Sequence, residues 1–241
     1  SGSVGASMKA LLPLSWAYGA GVAMDRGARM VSKLPTAAHP HVISIGNLEA
    51  GGNGKTPLAM LLVARALEAG ESVAYVSRGY GGSVRADMVT CVLPREAAPA
   101  ALAGMQVLSG THPDLARAVG DEGALVIDRV PGAVALFCRD KRRAVRTAGA
   151  MGVARVIVDD GFQSWGLARH CDIVLLDARR PLDGGCLLPA GRLREKPEEL
   201  RRADAIVING VGTLEELATA RETVSRWIPP GVAFSGLVRH V

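Results

Sequence analysis

A chain of 241 residues is long enough for one large domain, or for one domain with a small appendage. Hydrophobic residues make up 49% of it but aromatics only 4%, so its core is expected to be Ala, Val, Leu and Ile, which suits strands buried between helices. The net charge of +5 fits nucleic acid, an anionic membrane surface or a phosphorylated substrate equally well, but the basic residues are not interleaved with aromatics and do not resemble a nucleic-acid reader. No collagen-like glycine period, long low-complexity run or fixed internal repeat is present.

Cys91, Cys138, Cys171 and Cys186 form no CxxC pair and no metal-like spacing with His, and are expected to be buried thiols of a reducing cytoplasm. Ser1–Ser7 is small and polar, without a periodic pattern. Ala10–Met24 is largely apolar, with Lys9 before it and Arg26, Arg29 and Lys33 after it. That run is too short to span a bilayer; it reads either as an interfacial amphipathic helix with a basic rim or as a helix packed on the core.

From His41 the pattern becomes regular. Strand-like runs at Val42–Ile45, Val73–Val76, Met88–Leu93, Ala133–Phe137, Arg155–Val158, Ile173–Leu176, Ala205–Ile208 and Val232–Leu237 are separated in several places by helical stretches. The clearest helices are Thr56–Ala69, closed by Gly70, then Lys141–Gly149 and Leu214–Trp227, the last broken by Pro229-Pro230. This alternation predicts an α/β fold: a mostly parallel sheet with helices on both faces and ligands beyond the carboxyl ends of the strands.

Gly51-Gly52-Asn53-Gly54-Lys55-Thr56 lies between a strand and a helix, the setting that makes a P-loop credible. Its glycines let backbone N–H groups surround phosphate oxygens, and the following helix points its positive end at the same anion. Lys55 would reach the β- and γ-phosphates of ATP and the Thr56 hydroxyl would ligate Mg²⁺. Glu49 stands where such loops have their first Gly.

Asp159-Asp160-Gly161-Phe162-Gln163 follows an apolar strand directly. A buried strand ending in an acid is the Walker B arrangement that holds Mg²⁺, and Asp-Gly is also a common turn or helix-cap signal. Asp121-Glu122 reads either as a solvated helix start or as a carboxylate that takes the proton of an acceptor hydroxyl. Ser77-Arg78-Gly79-Tyr80-Gly81-Gly82, at the end of a strand, suits a loop close to ligand or an ordinary turn. Leu188–Glu195 brings two more arginines, Arg192 and Arg194, in a stretch that could also be a solvated helix start.

These strings in this order resemble the tetraacyldisaccharide 4′-kinase family of lipid A biosynthesis. The resemblance runs from Leu12-Pro13-Leu14-Ser15-Trp16 through Ile45-Gly46-Asn47-Leu48, the P-loop, Ser77–Gly82, Gly120-Asp121-Glu122 and Asp159–Gln163 to Asp177-Ala178-Arg179-Arg180-Pro181 and Leu188–Glu195. It implies a P-loop NTPase-like fold and transfer of the ATP γ-phosphate to the 4′-hydroxyl of tetraacyldisaccharide 1-phosphate, a lipid A precursor. The site of action would be the cytoplasmic face of the bacterial inner membrane. By the same resemblance Asp121 is the catalytic carboxylate, and Glu122, Asp159 and Asp160 join Thr56 around magnesium. Arg194 joins the phosphate loop in binding nucleotide, and Arg78, Gly79, Tyr80 and Gly81 meet the lipid disaccharide. A non-Gly residue at the first P-loop position is tolerated in that family.

Two positions depart from the family pattern: Ser164 stands where His is usual, and Cys186 where Arg is usual. Family chains also continue into a C-terminal segment with a His thought to support the catalytic Asp, whereas this sequence ends at Val241. The expected organisation is a tail and membrane-surface helix over 1–36, a P-loop kinase domain over 37–212, and a helix and strand over 213–241 leading into a further domain. A regulatory or partitioning ATPase would carry a Lys at the position of Ala50. A non-catalytic nucleotide-binding protein derived from the kinase family is the alternative function.

Overall fold

The structure, a computed structural model, describes residues 6–30, 40–52, 54–84, 88–94 and 105–238. Asn53 of the phosphate loop, Lys33, His39 and His240 lie outside the described residues. In chain order the elements are α1 (Ala6–Met30), β1 (His41–Gly46), α2 (Lys55–Glu68), β2 (Val73–Ser77), β3 (Val89–Leu93), β4 (Met105–Ser109), α3 (Leu115–Val119) and α4 (Asp121–Arg129). There follow β5 (Val134–Phe137), α5 (Lys141–Ala150), β6 (Arg155–Asp159), β7 (Cys171–Asp177), β8 (Ala205–Val211), α6 (Leu214–Val224) and β9 (Ala233–Val238). Two compact units result, one of Leu34–Ile45 with Lys55–His170, the other of Ser1–Lys33 with Gly46–Gly54 and Cys171–Val241.

In the first unit the strand order is β4-β3-β5-β2-β6-β1, and all neighbours are parallel except the β3–β5 pair. The alternation of a strand sends successive side chains to opposite faces. Ala74, Val76, Leu136, Val156 and Val158 point to one face, where Ala144, Val145 and Ala148 of α5 bury them. Each fully buried Val or Leu side chain among these contributes about 1.5–3 kcal/mol. Tyr75, Phe137 and Asp159 take the opposite register and meet α2 and α4; a β-carbon on Gly123 of α4 would lie 2.8 Å from the Phe137 ring. Helices therefore cover both faces of this sheet. Asp140 starts α5 by accepting a bond from the Arg142 N–H at 3.1 Å.

In the second unit β7, β8 and β9 are parallel neighbours, and α6 packs on β8. The start of α6 is fixed reciprocally: the Thr213 hydroxyl accepts from Glu216 N–H at 3.1 Å, and the Glu216 carboxylate accepts from Gly212 N–H at 2.7 Å. The helix expected to reach Trp227 ends at Val224 and passes into a 3₁₀ turn, Ser225–Trp227. The N-terminal helix begins at Ala6, so it takes in the end of the segment that carries no pattern. Its inner face is pinned within this unit: the Ser15 hydroxyl donates to Leu187 O at 2.9 Å and accepts from Ala190 N–H at 3.1 Å. Leu14, Trp16 and Met24 are exposed on its outer side. Arg26, expected on the basic rim, instead pairs inward with Glu199 at 2.7 Å.

No helix among the described residues is long and apolar enough to cross a membrane. All four cysteines are free thiols, as expected, but only Cys91 and Cys138 are buried; Cys171 and Cys186 are half-buried. Burial pushes the Cys91 thiol up to about 11.

Candidate functional site

The first unit brings the head of α2 against the end of β6. The Thr56 hydroxyl donates to Asp159 Oδ2 at 2.8 Å, and the buried Tyr75 hydroxyl donates to the same oxygen at 2.8 Å. Lys55 Nζ lies 3.7 Å from Asp160 Oδ1. The acids therefore differ: Asp159 is buried and held by hydroxyls, whereas Asp160 is partly exposed and faces the lysine. Asp160 has φ 50 and opens a turn, so β6 runs into a turn and no helix is capped there. Burial raises the Tyr75 phenol well above its usual range, and the charge of Asp159 adds to this, with a smaller contribution from Glu122.

The turn before Asp121 interlocks with the Arg78–Gly82 loop in the same unit. Gly120 has φ 83, and a β-carbon there would lie 2.1 Å from Tyr80 O, so only glycine fits. Ser83 N–H donates to Arg117 O at 3.0 Å, closing the loop onto the end of α3. Asp121 and Glu122 then occupy the first turn of α4, both exposed, where the helix dipole favours acids. Arg78 and Tyr80 are exposed on the loop, Tyr80 almost fully. The proposed acceptor loop and the proposed catalytic carboxylate are thus neighbours through the Tyr80–Gly120 contact.

In the second unit the chain entering the phosphate loop is clasped by Leu188–Glu195. This stretch is not helical, contrary to one of its two expected forms; it runs as a loop whose Leu193 and Glu195 are buried. Its backbone pairs with the loop, Arg194 N–H donating to Leu48 O and Ala50 N–H to Arg192 O at 2.7 Å, with Glu49 and Leu193 forming a bridge. The Arg194 guanidinium donates to the carbonyl and side-chain oxygens of Asn47. Arg192 donates to Ala50 O at 3.0 Å and arches over Gly51, where a β-carbon would lie 2.7 Å from its terminal nitrogen. Glu49, the departure from the P-loop pattern, is buried beneath this clasp. Gly51, Gly52, Gly54 and Arg194 thus belong to the second unit, and every other described candidate residue to the first.

The donor chemistry around Thr56 fits Mg²⁺. A hydroxyl and a carboxylate are hard oxygen ligands, and their 2.8 Å contact brings them to one point. Mg²⁺ typically takes one or two carboxylates together with substrate phosphates and water. No group of three or more His, Cys, Asp or Glu suited to a metal occurs among the described residues.

Sequence reasoning passed over Tyr75 and Lys141. Tyr75 is the one aromatic in a strand otherwise made of Val, Ala and Ser, and that contrast was its signal. Lys141 shares the buried face of α5 with Ala144, Val145 and Ala148, and a lysine at a core-facing position of the helical period was a second signal. Its ammonium donates to Asp159 O at 2.7 Å and to Asp160 O. Arg169 joins them, donating to Gly161 O at 2.7 Å.

Comparison with known proteins bears on this arrangement. The family model described as LpxK, tetraacyldisaccharide-1-P 4′-kinase, matches residues 7–230. A tetraacyldisaccharide 4′-kinase of Anaeromyxobacter sp. is 41% identical over 179 residues, covering 73% of this chain and 44% of that protein. One of Syntrophotalea carbinolica is 38% identical over 202 residues, covering 82% and 52%. A crystal structure of LpxK from Aquifex aeolicus in complex with ATP aligns with TM-score 0.66 at 30% identity, over 83% of this chain and 58% of that one. The chain spans about half the length of the curated relatives it matches. Because the family model spans nearly the whole chain, the chain belongs to the tetraacyldisaccharide-1-P 4′-kinase family.

Proposed function

We propose that this chain is the nucleotide-binding and acceptor-activating part of a kinase that moves the ATP γ-phosphate to the 4′-hydroxyl of tetraacyldisaccharide 1-phosphate. The observation that carries the proposal is the Thr56–Asp159 contact beside the Lys55–Asp160 pair, at the start of α2. The Aquifex aeolicus relative was solved with ATP, which makes ATP the nucleotide expected here. In this reading Lys55 and the loop N–H groups bind the phosphates, and Arg194 orders Asn47 at the loop's entry. Thr56 and Asp159 would hold Mg²⁺, with Asp160 and Glu122 in the surrounding magnesium and nucleotide environment, and the ion would neutralise phosphate charge when bound with the nucleotide.

Asp121 accepts the proton of the 4′-hydroxyl as that oxygen bonds to the γ-phosphorus; the bond to the β,γ-bridging oxygen breaks and ADP leaves. Arg78 and the Gly79–Gly81 backbone orient the disaccharide, their loop being locked to the turn before Asp121. The outer side of α1, with Leu14, Trp16 and Met24, lies on the cytoplasmic face of the inner membrane, where the lipid acceptor resides.

The test is transfer of γ-labelled phosphate to tetraacyldisaccharide 1-phosphate. It is run with the chain alone and with the chain extended by the C-terminal part of a curated relative. Label is expected in the lipid, and Lys55→Ala is expected to abolish both transfer and ATP binding without unfolding the protein. ATP binding with no transfer in either form would leave a nucleotide-binding protein that is not a kinase.

A further inference from the structure

We infer that Lys141 is a positioning residue for the acid pair: its buried ammonium clamps the main chain of Asp159–Asp160 so that both carboxylates are presented to metal and phosphate. This rests on the nucleotide-binding reading of the site.

Lys141 is the first residue of α5 and is only 6% exposed. Burying an ammonium is costly unless strong acceptors receive it, so a lysine on the apolar face of a helix calls for a reason. Two of its acceptors are the carbonyls of consecutive residues, Asp159 and Asp160, at the end of β6. α5 packs on the face of the sheet that buries Val156 and Val158, whereas the Asp159 carboxylate points to the face of Tyr75 and Thr56. Lys141 therefore holds the main chain of the acid pair from one side while two hydroxyls hold the Asp159 side chain from the other.

The backbone there needs such a hold. Asp160 has φ 50, a left-handed conformation that its β-carbon disfavours. Sites that keep non-glycine residues in this region rely on the surroundings to fix them. The next residue is gripped as well: Gly161 N–H donates to Ile45 O at 2.9 Å and Gly161 O accepts from Arg169 at 2.7 Å. In this conformation the Asp160 carboxylate lies 3.7 Å from the Lys55 ammonium while Asp159 stays on Thr56. Lys141 makes no claim to touch nucleotide or acceptor; it acts through the two acids.

The experiment measures ATP affinity of the full chain with saturating Mg²⁺ and with EDTA, alongside thermal unfolding, for wild type, Lys141→Met and Lys141→Arg. Loss of a group that orients metal ligands typically costs about 10–100-fold, so Lys141→Met should lose about that much of the Mg²⁺-dependent gain, with affinity in EDTA within about twofold of wild type. Lys141→Arg, which keeps a two-pronged donor, should recover most of the gain. A purely structural lysine would lower the unfolding temperature and leave the gain intact, and that result overturns the inference. If Lys141→Met does not fold, Lys141→Gln, which keeps one donor, carries the same comparison with the same two outcomes. Wild type that binds no ATP would overturn the nucleotide reading and this inference with it. Wild type that binds with a full Mg²⁺ gain unchanged in the variants overturns the inference alone.

Discussion

The Thr56 hydroxyl sits 2.8 Å from Asp159 Oδ2, joining the first turn of the helix after the phosphate loop to the end of the strand that carries the acid pair. Tyr75 reaches the same oxygen, also at 2.8 Å, from the neighbouring strand. One buried carboxylate oxygen is thus shared by two hydroxyls, and its orientation is set before any ligand arrives.

Tyr75→Phe tests that orientation at nearly constant volume. Hydrogen bonds to charged groups contribute about 1.5–3 kcal/mol, so removing this buried donor should lower unfolding free energy by about that amount. Urea unfolding of the two proteins measures it. A loss under about 0.5 kcal/mol, the usual scale of a neutral surface change, would show that Thr56 alone suffices.

A pH dependence is expected at the opposite end of the sheet, where His41 stacks on His170 with ring centroids 4.5 Å apart. The His41 ring is held below its usual 6.5, first by burial, then by the charges of His170 and Arg155, with Glu71 opposing. A His depressed in the folded state takes up its proton more readily when unfolded, so its contribution is present above about 6.5 and is lost as pH falls through the lower folded value. Denaturant unfolding between pH 8 and pH 5, about the range in which His charges, should show stability falling with acid, and His41→Gln should flatten that slope. A wild-type slope of the opposite sign would mean that Glu71 dominates.

The helix Ala6–Met30 has two unlike sides. Ser15 and Arg26 tie it to Leu187, Ala190 and Glu199, while Leu14, Trp16 and Met24 face out. Replacing those three outward residues with Ser should release the protein from anionic vesicles in a sedimentation assay by at least about tenfold, because interfacial binding scales with buried apolar area. Unfolding free energy should barely change. Ser15→Ala should do the reverse, costing stability by about 1–3 kcal/mol and leaving vesicle binding alone. Equal vesicle binding by the outward triple variant and wild type would assign the helix to packing only.

Much of this arrangement could be seen in the residues because each signal was local. A P-loop is contiguous, an acid at the end of an apolar strand is contiguous, and a mostly parallel sheet follows from the alternation of runs. β4 escaped notice because Met105–Ser109 is a short edge strand, half-exposed, with Gln106 in its middle, so it carries no continuous apolar signal. The antiparallel β3–β5 pair escaped for another reason: strand direction depends on how the chain returns, which no local pattern encodes. A helix start stayed open as one of two readings of Leu188–Glu195 because its polar side chains were counted, whereas its backbone pairs with Leu48 and Ala50 far away in sequence. Lys141 and Tyr75 were hidden in the same way, since their partners lie 18 and 84 residues distant.

The last prediction concerns Asp121, exposed in the first turn of α4 and reached only after Gly120 has fitted beneath Tyr80. Its proposed work is on the acceptor hydroxyl, so Asp121→Ala should leave ATP affinity near wild type while phosphate transfer falls by about 10²–10⁴-fold, the usual contribution of a positioned acid–base group. Glu122, whose charge acts on the Tyr75 phenol, should behave oppositely, Glu122→Gln weakening ATP binding chiefly when Mg²⁺ is present. Residues that act as one unit lose activity non-additively, so the Asp121 effect should be largest in a chain that carries every partner of that carboxylate. Equilibrium ATP binding and single-turnover transfer, measured on both variants, separate the two roles. An Asp121→Ala protein whose ATP binding falls in step with transfer would move that carboxylate from the acceptor to the metal or the fold. A variant that transfers phosphate as fast as wild type would remove it from the reaction altogether, leaving the Arg78–Gly81 loop to be matched with another base.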